Sequence, residues 1–428
     1  MSAATTSPMA VVLRYWRDRA LWTAIADFFA ILTALALPWS TSLVAIFVLC
    51  WLGAVAWVMD YRIYVRSLKQ PICYLPFALI GLALVGTLWS DASWIERFVA
   101  IGPTVKLIVL PPLFYHFART TRGMWVLIAF LVSCTVLMAV SWIVAFYPGL
   151  SLKPSHEAFR GIFVKNYIDQ SQEFALCAVA LAYPIISLLR ENNIRVAALL
   201  GAISLGFVAN MAFVIVSRTA MVTMPIMLAV FALLHLKRRT SVMIFGAMIV
   251  AAGLIWTASP KLRQTAGTFV SDYEDYKATN AVTSVGLRLE FWTKASRFFA
   301  EAPVFGHGTG STRGLFEKAA VGTEDFASGV VINNPHNQTL NVAVQWGVIG
   351  IVILYAMWFY HLSLFRGEGL VVWIGLLVVV QNIFTSLFNS HLFDFHEGWM
   401  YVLGVGVAGG MTLRARQDAT STERDAVR

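Results

Sequence analysis

The chain has 428 residues, 58% of them hydrophobic and only 13% charged, with a mean hydropathy of +0.70. Such a composition excludes a soluble globular domain and points to a polytopic, all-α membrane protein. The formal net charge of +9 lies mostly in short connections between apolar runs, so it reads as a topology signal and not as a nucleic-acid-binding surface.

In chain order, residues 1–19 are a short polar start carrying Arg14, Arg17 and Arg19. Runs long enough to cross ~30 Å of hydrocarbon as helices follow at 20–37, 41–59, 71–89, 98–116, 124–147, 171–189, 195–216, 220–236 and 240–258. Three more lie at 338–360, 369–388 and 397–412, about twelve in all, before a polar tail at 413–428. Residues 20–258 thus hold nine spans with a short loop at 148–170, residues 259–337 form a large loop, and 338–412 hold the last three spans. Ala34-Leu35-Ala36 in the first run has the look of a cleavage site, but the run is long enough to span and eleven follow, so an uncleaved helix is expected. Cys50, Cys73, Cys134 and Cys177 lie inside apolar runs without CxxC spacing and read as core residues.

Alternate connections carry the basic residues: Arg62, Arg66 and Lys69; Arg119 and Arg122; Arg190 and Arg195; Lys237, Arg238 and Arg239; Arg366; Arg414 and Arg416. Short loops rich in Lys and Arg stay in the cytoplasm, which places both termini there and the two long loops outside.

The first long loop, "SLKPSHEAFRGIFVKNYIDQSQEFAL", brings Lys153, His156, Arg160 and Lys165 to a face that should be poor in positive charge. Lipid headgroups account for Lys153 and Lys165; Arg160, before the turn residue Gly161, is the candidate for an anionic ligand. In "FVIVSRTAMVTMPIML", Ser217 is expected to cap a span and to leave Arg218 in the first helical turn, where the helix dipole disfavours a cation unless an anion is bound. Snorkelling to lipid phosphates is the alternative.

The large loop contains an amphipathic helix expected to start at an N-cap Ser284 and to end before Pro303. At about 100° per residue, Leu287, Phe291, Trp292, Ala295, Phe298 and Phe299 share one arc, and Glu290, Lys294, Arg297 and Glu301 the far side. Arg288 projects from the apolar arc. It is either a buried arginine paired within the protein or one aimed into a site that holds an anion. "FGHGTGST" at 305–312 lacks the Lys-Ser/Thr of a P-loop and reads as a turn.

In "VINNPHNQTL", Pro335 fixes the entry, Asn337 caps the helix that opens the tenth span, and the imidazole of His336 is left at its mouth. Histidine accepts protons near neutral pH, so His336 is the candidate base. "NSHLFDFHEGW" groups Asn389, His391, Asp394, His396 and Glu397. These could bind a divalent metal, but the end of a hairpin collects polar residues without one, and no metal site is assigned.

"RGIFVKN", "SRTA", "GLRLEFWTKA" and "GHGTG…NNPHNQTLNVAVQWGVIG", spread over residues 155–350, resemble the bacterial O-antigen ligases of lipopolysaccharide biosynthesis. These ligases lie within the superfamily that also holds O-antigen polymerases and protein O-oligosaccharyltransferases. The resemblance implies a GT-C-type glycosyltransferase of the bacterial inner membrane with a helical periplasmic cap and a periplasmic active site. It implies an undecaprenyl-diphosphate-linked glycan as donor, a sugar hydroxyl of lipid A-core as acceptor, and no cofactor, metal or nucleotide. Carried over to this chain, the essential histidine falls on His336, the large-loop arginine on Arg288, the span-opening arginine on Arg218 and a first-loop arginine on Arg160. A polymerase or protein O-oligosaccharyltransferase would share this chemistry and differ in acceptor. A polyprenyl-glycan transporter would instead show polar residues through the midplane and an internal repeat, whereas ionisable residues here are expected at the outer face.

Overall fold

The structure is a computed structural model that describes residues 18–153, 160–322 and 326–427, with the side chains at 218, 244, 251 and 423–427 outside that description. Arg14, Arg17 and His156, and the side chain of Arg218, therefore lie outside the described residues.

Each apolar run becomes helix, because a backbone in hydrocarbon must satisfy its own N–H and C=O groups. The helices run α1 Arg19–Ala36, α2 Thr41–Val58, α3 Tyr61–Ser67, α4 Pro71–Val85, α5 Trp94–Val105, α6 Leu110–Phe117, α7 Gly123–Phe146, α8 Tyr167–Ala180, α9 Ala182–Arg190 and α10 Ile194–Asn210. They continue as α11 Arg218–His235, α12 Arg238–Ala258, α13 Pro260–Thr279, α14 Ser284–Glu301, α15 Thr312–Ala320, α16 Gln338–Leu364, α17 Leu370–Thr385 and α18 Phe395–Val427. Among the described residues nine segments are long and apolar enough to cross a membrane, and two shorter apolar helices span Thr219–His235 and Leu370–Thr385. The last expected span is the apolar first half of α18. Several starts carry local caps: Asp18 accepts from the Ala20 and Leu21 amides, Ser93 and Glu96 form a capping box, and Asn166 accepts from Ile168 and Asp169.

Helix α18 is the hub, packed against α6 and α17. Its Gly404, Gly406, Gly409 and Gly410 bring its backbone against Val378, Leu113, Phe114 and Phe117, where side chains of its own would collide. Trp51, Trp346, Trp373 and Tyr401 are fully buried in or beside this body. A second cluster, Phe291, Ala295, Phe298, Phe316 and Val344, joins α14, α15 and α16. The apolar arc of the large-loop helix thus packs down on the span that His336 precedes. Helix α16 kinks at Gly347, whose φ of 60° and ψ of −156° suit glycine alone, and a Cβ there would run into the Val304 carbonyl. The glycine-rich turn grips this kink: His307 and Gly308 donate to the Val344 and Gln345 carbonyls at 2.8 and 2.9 Å.

Some expectations are corrected. Helix α14 is capped by Thr283, which accepts from the Gly286 amide, and not by Ser284. Ser217 holds the N-cap position of α11, yet its hydroxyl makes no capping bond. Lys165 is not a headgroup ligand but is buried, its Nζ 2.7 Å from Glu173 and donating to the Leu37 carbonyl; a buried ammonium needs both a counter-charge and acceptors. Cys50 is exposed on the helix surface, not in the core. Ionisable side chains are not confined to the loop ends: Asp27 and His116 pair at 2.9 Å inside the bundle, and Lys106 is buried midway along the Trp94–Phe117 segment.

Candidate active site

The turn from Val331 to Leu340 is tied to the connection between α17 and α18. Asn337 accepts from the Leu340 amide at 3.1 Å, capping α16 as its sequence position suggests, and donates to the Leu387 carbonyl at 3.1 Å. The Gln338 amide donates to the Ser386 carbonyl at 2.9 Å, and its side-chain oxygen accepts from the Leu392 amide at 3.1 Å. Two segments about fifty residues apart in sequence thus form one knot at the end of the bundle.

His336 sits in that knot with a φ of 53°, a left-handed conformation that costs a non-glycine residue energy and is held only where neighbours over-determine it. The constraints are visible. Its amide donates to Asn334 Oδ1 at 3.0 Å, its ring lies 5.9 Å from the Phe291 ring of α14, and its Nδ1 is 2.8 Å from Asn389 Oδ1. Asn389 in turn donates its Nδ2–H to Asp394 Oδ2 at 2.7 Å. A carboxylate accepts, so Asp394 orients the Asn389 amide with its oxygen toward His336; that oxygen requires a proton on Nδ1, and Nε2 is left with its lone pair.

Lys106 braces the far end of this chain. Its Nζ donates to the Phe393 carbonyl at 2.9 Å and to that of Asp394. Burial pushes the Asp394 carboxyl up to about 7, opposed by the Lys106 charge and reinforced by Asp169. The His336 imidazole is held below its ordinary value, first by burial and then by the Arg288 charge, while the Asn389 bond works the other way. Burial first brings the enclosed His391 down to about 4, opposed by the Asp169 charge and helped by those of Arg288 and His336. Half-buried Arg288 on α14 therefore bears on two neutral imidazoles, and its place in the apolar arc does face a polar centre.

Arg160 lies to one side. Its guanidinium sits 4.9 Å over the Tyr167 ring at the start of α8, and its charge, after burial, lowers Lys261 at the start of α13. Between α8 and the knot a cleft of about 610 Å³ is lined by Asn166, Asp169, Asn389, Asp394, His396 and Glu397. There His396 Nδ1 meets Asp169 Oδ2 at 2.5 Å. On the other side of the knot a larger cleft, about 1160 Å³, lies between α5, α15 and the 333–345 segment. A third cavity, about 850 Å³ and apolar throughout, lies inside the bundle among α1, α7, α8, α17 and α18, with no polar group to orient a reacting atom.

Of the sequence candidates, His336 and Arg288 come together, Arg160 lies beside Tyr167 and Lys261, and only the backbone of Arg218 is described. Among the described residues no three His, Cys, Asp or Glu side chains are grouped to share a metal ion; Asn389 and Asp394 serve instead as the hydrogen-bonded support of His336. Sequence reading missed Lys106 and Asp169. For Lys106 the available signal was an ionisable residue inside an apolar run, which is costly in hydrocarbon and so usually has a partner or a task; for Asp169, in the first long loop, there was none.

The resemblance to O-antigen ligases is borne out by comparison. A family model described as O-antigen ligase matches residues 203–355, a stretch that takes in Arg218, Arg288 and His336 but not Arg160, Asn389 or Asp394. No curated protein matches the chain.

Proposed function

We propose that the protein is an O-antigen ligase that transfers a glycan from undecaprenyl diphosphate to a sugar hydroxyl of lipid A-core. One observation carries this reading: a histidine whose Nδ1–H is committed to Asn389, leaving Nε2 as a proton acceptor, beside an arginine whose charge reaches it. In the reaction the acceptor O–H gives its proton to Nε2 and its oxygen attacks C1 of the donor sugar. A C1–O bond forms as the C1–O bond to phosphate breaks, and the diphosphate leaves with the electron pair. Arg288, together with Arg160 and Arg218, stabilises the charge that develops on it, the task a divalent metal performs in other transferases. Attack opposite the leaving group inverts the anomeric centre.

In this reading the body is a GT-C-type bundle of about twelve crossings in the bacterial inner membrane. The termini are cytoplasmic, helices α13 to α15 form a periplasmic cap, and the site is periplasmic. Basic residues on the connections remote from His336 support that orientation.

The test is reconstitution of the full chain in liposomes with a polyprenyl-diphosphate glycan and lipid A-core, without nucleotide or added metal and with a chelator present. Glycan appearing on lipid A-core supports the ligase. Lengthening of the donor glycan moves the assignment to a polymerase, glycosylation of a protein acceptor to a protein O-oligosaccharyltransferase, and movement of intact donor across the bilayer to a transporter.

A further inference from the structure

The larger cleft, between α5, α15 and the 333–345 segment, is not used by the chemistry above. One of its walls is a chain of oriented amides. Gln345 Oε1 accepts from the Gly310 amide at 2.9 Å and its Nε2 donates to Asn341 Oδ1 at 2.9 Å. Asn341 donates to Ser390 Oγ at 3.1 Å, Ser390 donates to Asn334 Oδ1 at 2.7 Å, and Asn334 accepts from the His336 amide. The wall thus ends on the reacting histidine. Thr312, 2% exposed, is also a lining residue, and its buried hydroxyl has no hydrogen-bond partner. An orphaned buried hydroxyl is costly unless a ligand or water completes it. Asn333 adds an exposed amide.

The charge of the cleft argues against the diphosphate. Arg313 is the cation among the lining residues, and it is exposed and paired with Glu317 at 2.8 Å; Glu96 and Asp394 add carboxyl groups, which accept hydroxyl protons and repel phosphate. The opposite wall is apolar. Ile95 and Val99 of α5 line the cleft and are 77% and 67% exposed at the start of the Trp94–Phe117 segment, which is long and apolar enough to cross the membrane; exposed apolar side chains there suit a mouth that faces lipid.

We infer that this cleft is the acceptor subsite, holding neutral, hydroxyl-bearing sugars of a lipid-anchored acceptor that enters laterally past α5. The inference rests on the proposed transferase reading. The amides and Thr312 bind sugar hydroxyls, the apolar edge accommodates the lipid-proximal part, and His336 stands where the wall delivers the nucleophile.

The experiment measures transfer by the full chain in liposomes, varying lipid A-core at saturating polyprenyl-diphosphate glycan and then the reverse. Variants are Thr312→Val, Asn333→Ala and Val99→Trp, the last filling the lipid-facing mouth. KM for lipid A-core should rise about threefold to tenfold for each lost hydrogen bond and more in Val99→Trp, with donor KM unchanged. Asn333 is exposed, so its variant folds even if the buried Thr312 change is poorly tolerated, and an unchanged donor KM certifies each fold. Unshifted acceptor KM in Asn333→Ala and Val99→Trp, or a rise in donor KM instead, overturns the assignment. Wild-type protein that transfers nothing to lipid A-core overturns the parent reading before any variant is made, and the two failures are thereby distinguished.

Discussion

Nδ1 of His336 lies 2.8 Å from Oδ1 of Asn389, and Asn389 is itself held by Asp394 at 2.7 Å. The first contact decides which ring nitrogen carries the proton, and the second decides which way the amide faces. Proton acceptance at Nε2 is thus set by a carboxylate two hydrogen bonds away.

If His336 is the base, His336→Ala lowers turnover by roughly 10²–10⁴-fold while donor affinity is retained, because the proline entry and the Asn337 cap are untouched. His336→Gln keeps a hydrogen bond without the proton acceptance and is nearly as inactive. Donor binding that collapses in the alanine variant, with a normal rate for whatever donor still binds, makes His336 a diphosphate ligand instead.

Asp394→Asn replaces an acceptor-only carboxylate with an amide that can donate as well as accept, so it no longer dictates which end of the Asn389 amide faces it. The amide is then free to turn, the tautomer of His336 is no longer imposed, and kcat falls on the order of 10²-fold, as for a misplaced catalytic group. Donor KM holds. A variant that loses donor KM and keeps kcat shows that Asp394 shapes the binding cleft and not the base.

Because burial and the Arg288 charge hold the His336 imidazole below its ordinary value, the neutral, proton-accepting form prevails at neutral pH. Activity, read as the acid limb of kcat/KM, is therefore lost as pH falls, first as Asp394 protonates at about 7 and loosens its hold on Asn389, and fully as pH falls through the lowered His336 value, below the ordinary 6.5. In Asn389→Ala a bond that favours the charged imidazole is gone and the limb moves further toward acid; a limb moving the other way refutes this assignment of the titration.

Arg288→Lys fails almost as badly as Arg288→Ala, by about 10²–10³-fold in kcat/KM, since a point charge does not reproduce a two-pronged contact to phosphate oxygens. Near wild-type turnover in the lysine variant assigns Arg288 a diffuse electrostatic role.

Gly347→Ala destabilises the fold. The backbone conformation there costs any other residue about 1–3 kcal/mol, and the new methyl meets the Val304 carbonyl. The apparent melting temperature in detergent drops and transfer drops with it; an unchanged melting temperature shows that the kink relaxes at little cost.

Much of this architecture is written locally in the chain. An apolar run of sufficient length has one solution in a membrane, so the helical bundle follows from residue type and spacing, and the Pro335-His336-Asn337 order already places an imidazole at a capped helix mouth. The arc of Leu287, Phe291, Ala295 and Phe298 likewise foretells which face of α14 packs and that Arg288 turns inward with it. Partnership between distant segments is another matter. Asn389 looked like hairpin polarity and Lys165 like a headgroup ligand, and Lys106 drew no notice. Only the folded chain brings His336 to Asn389 across 53 residues and Lys106 to the Phe393 carbonyl across 287. Hydrogen bonds between segments depend on how helices cross and where glycines let them close, and hydropathy along the chain holds no record of either. The sequence by itself thus determined a helical membrane body and a candidate base at its mouth; the tertiary structure decided what orients that base and where a second cleft meets it.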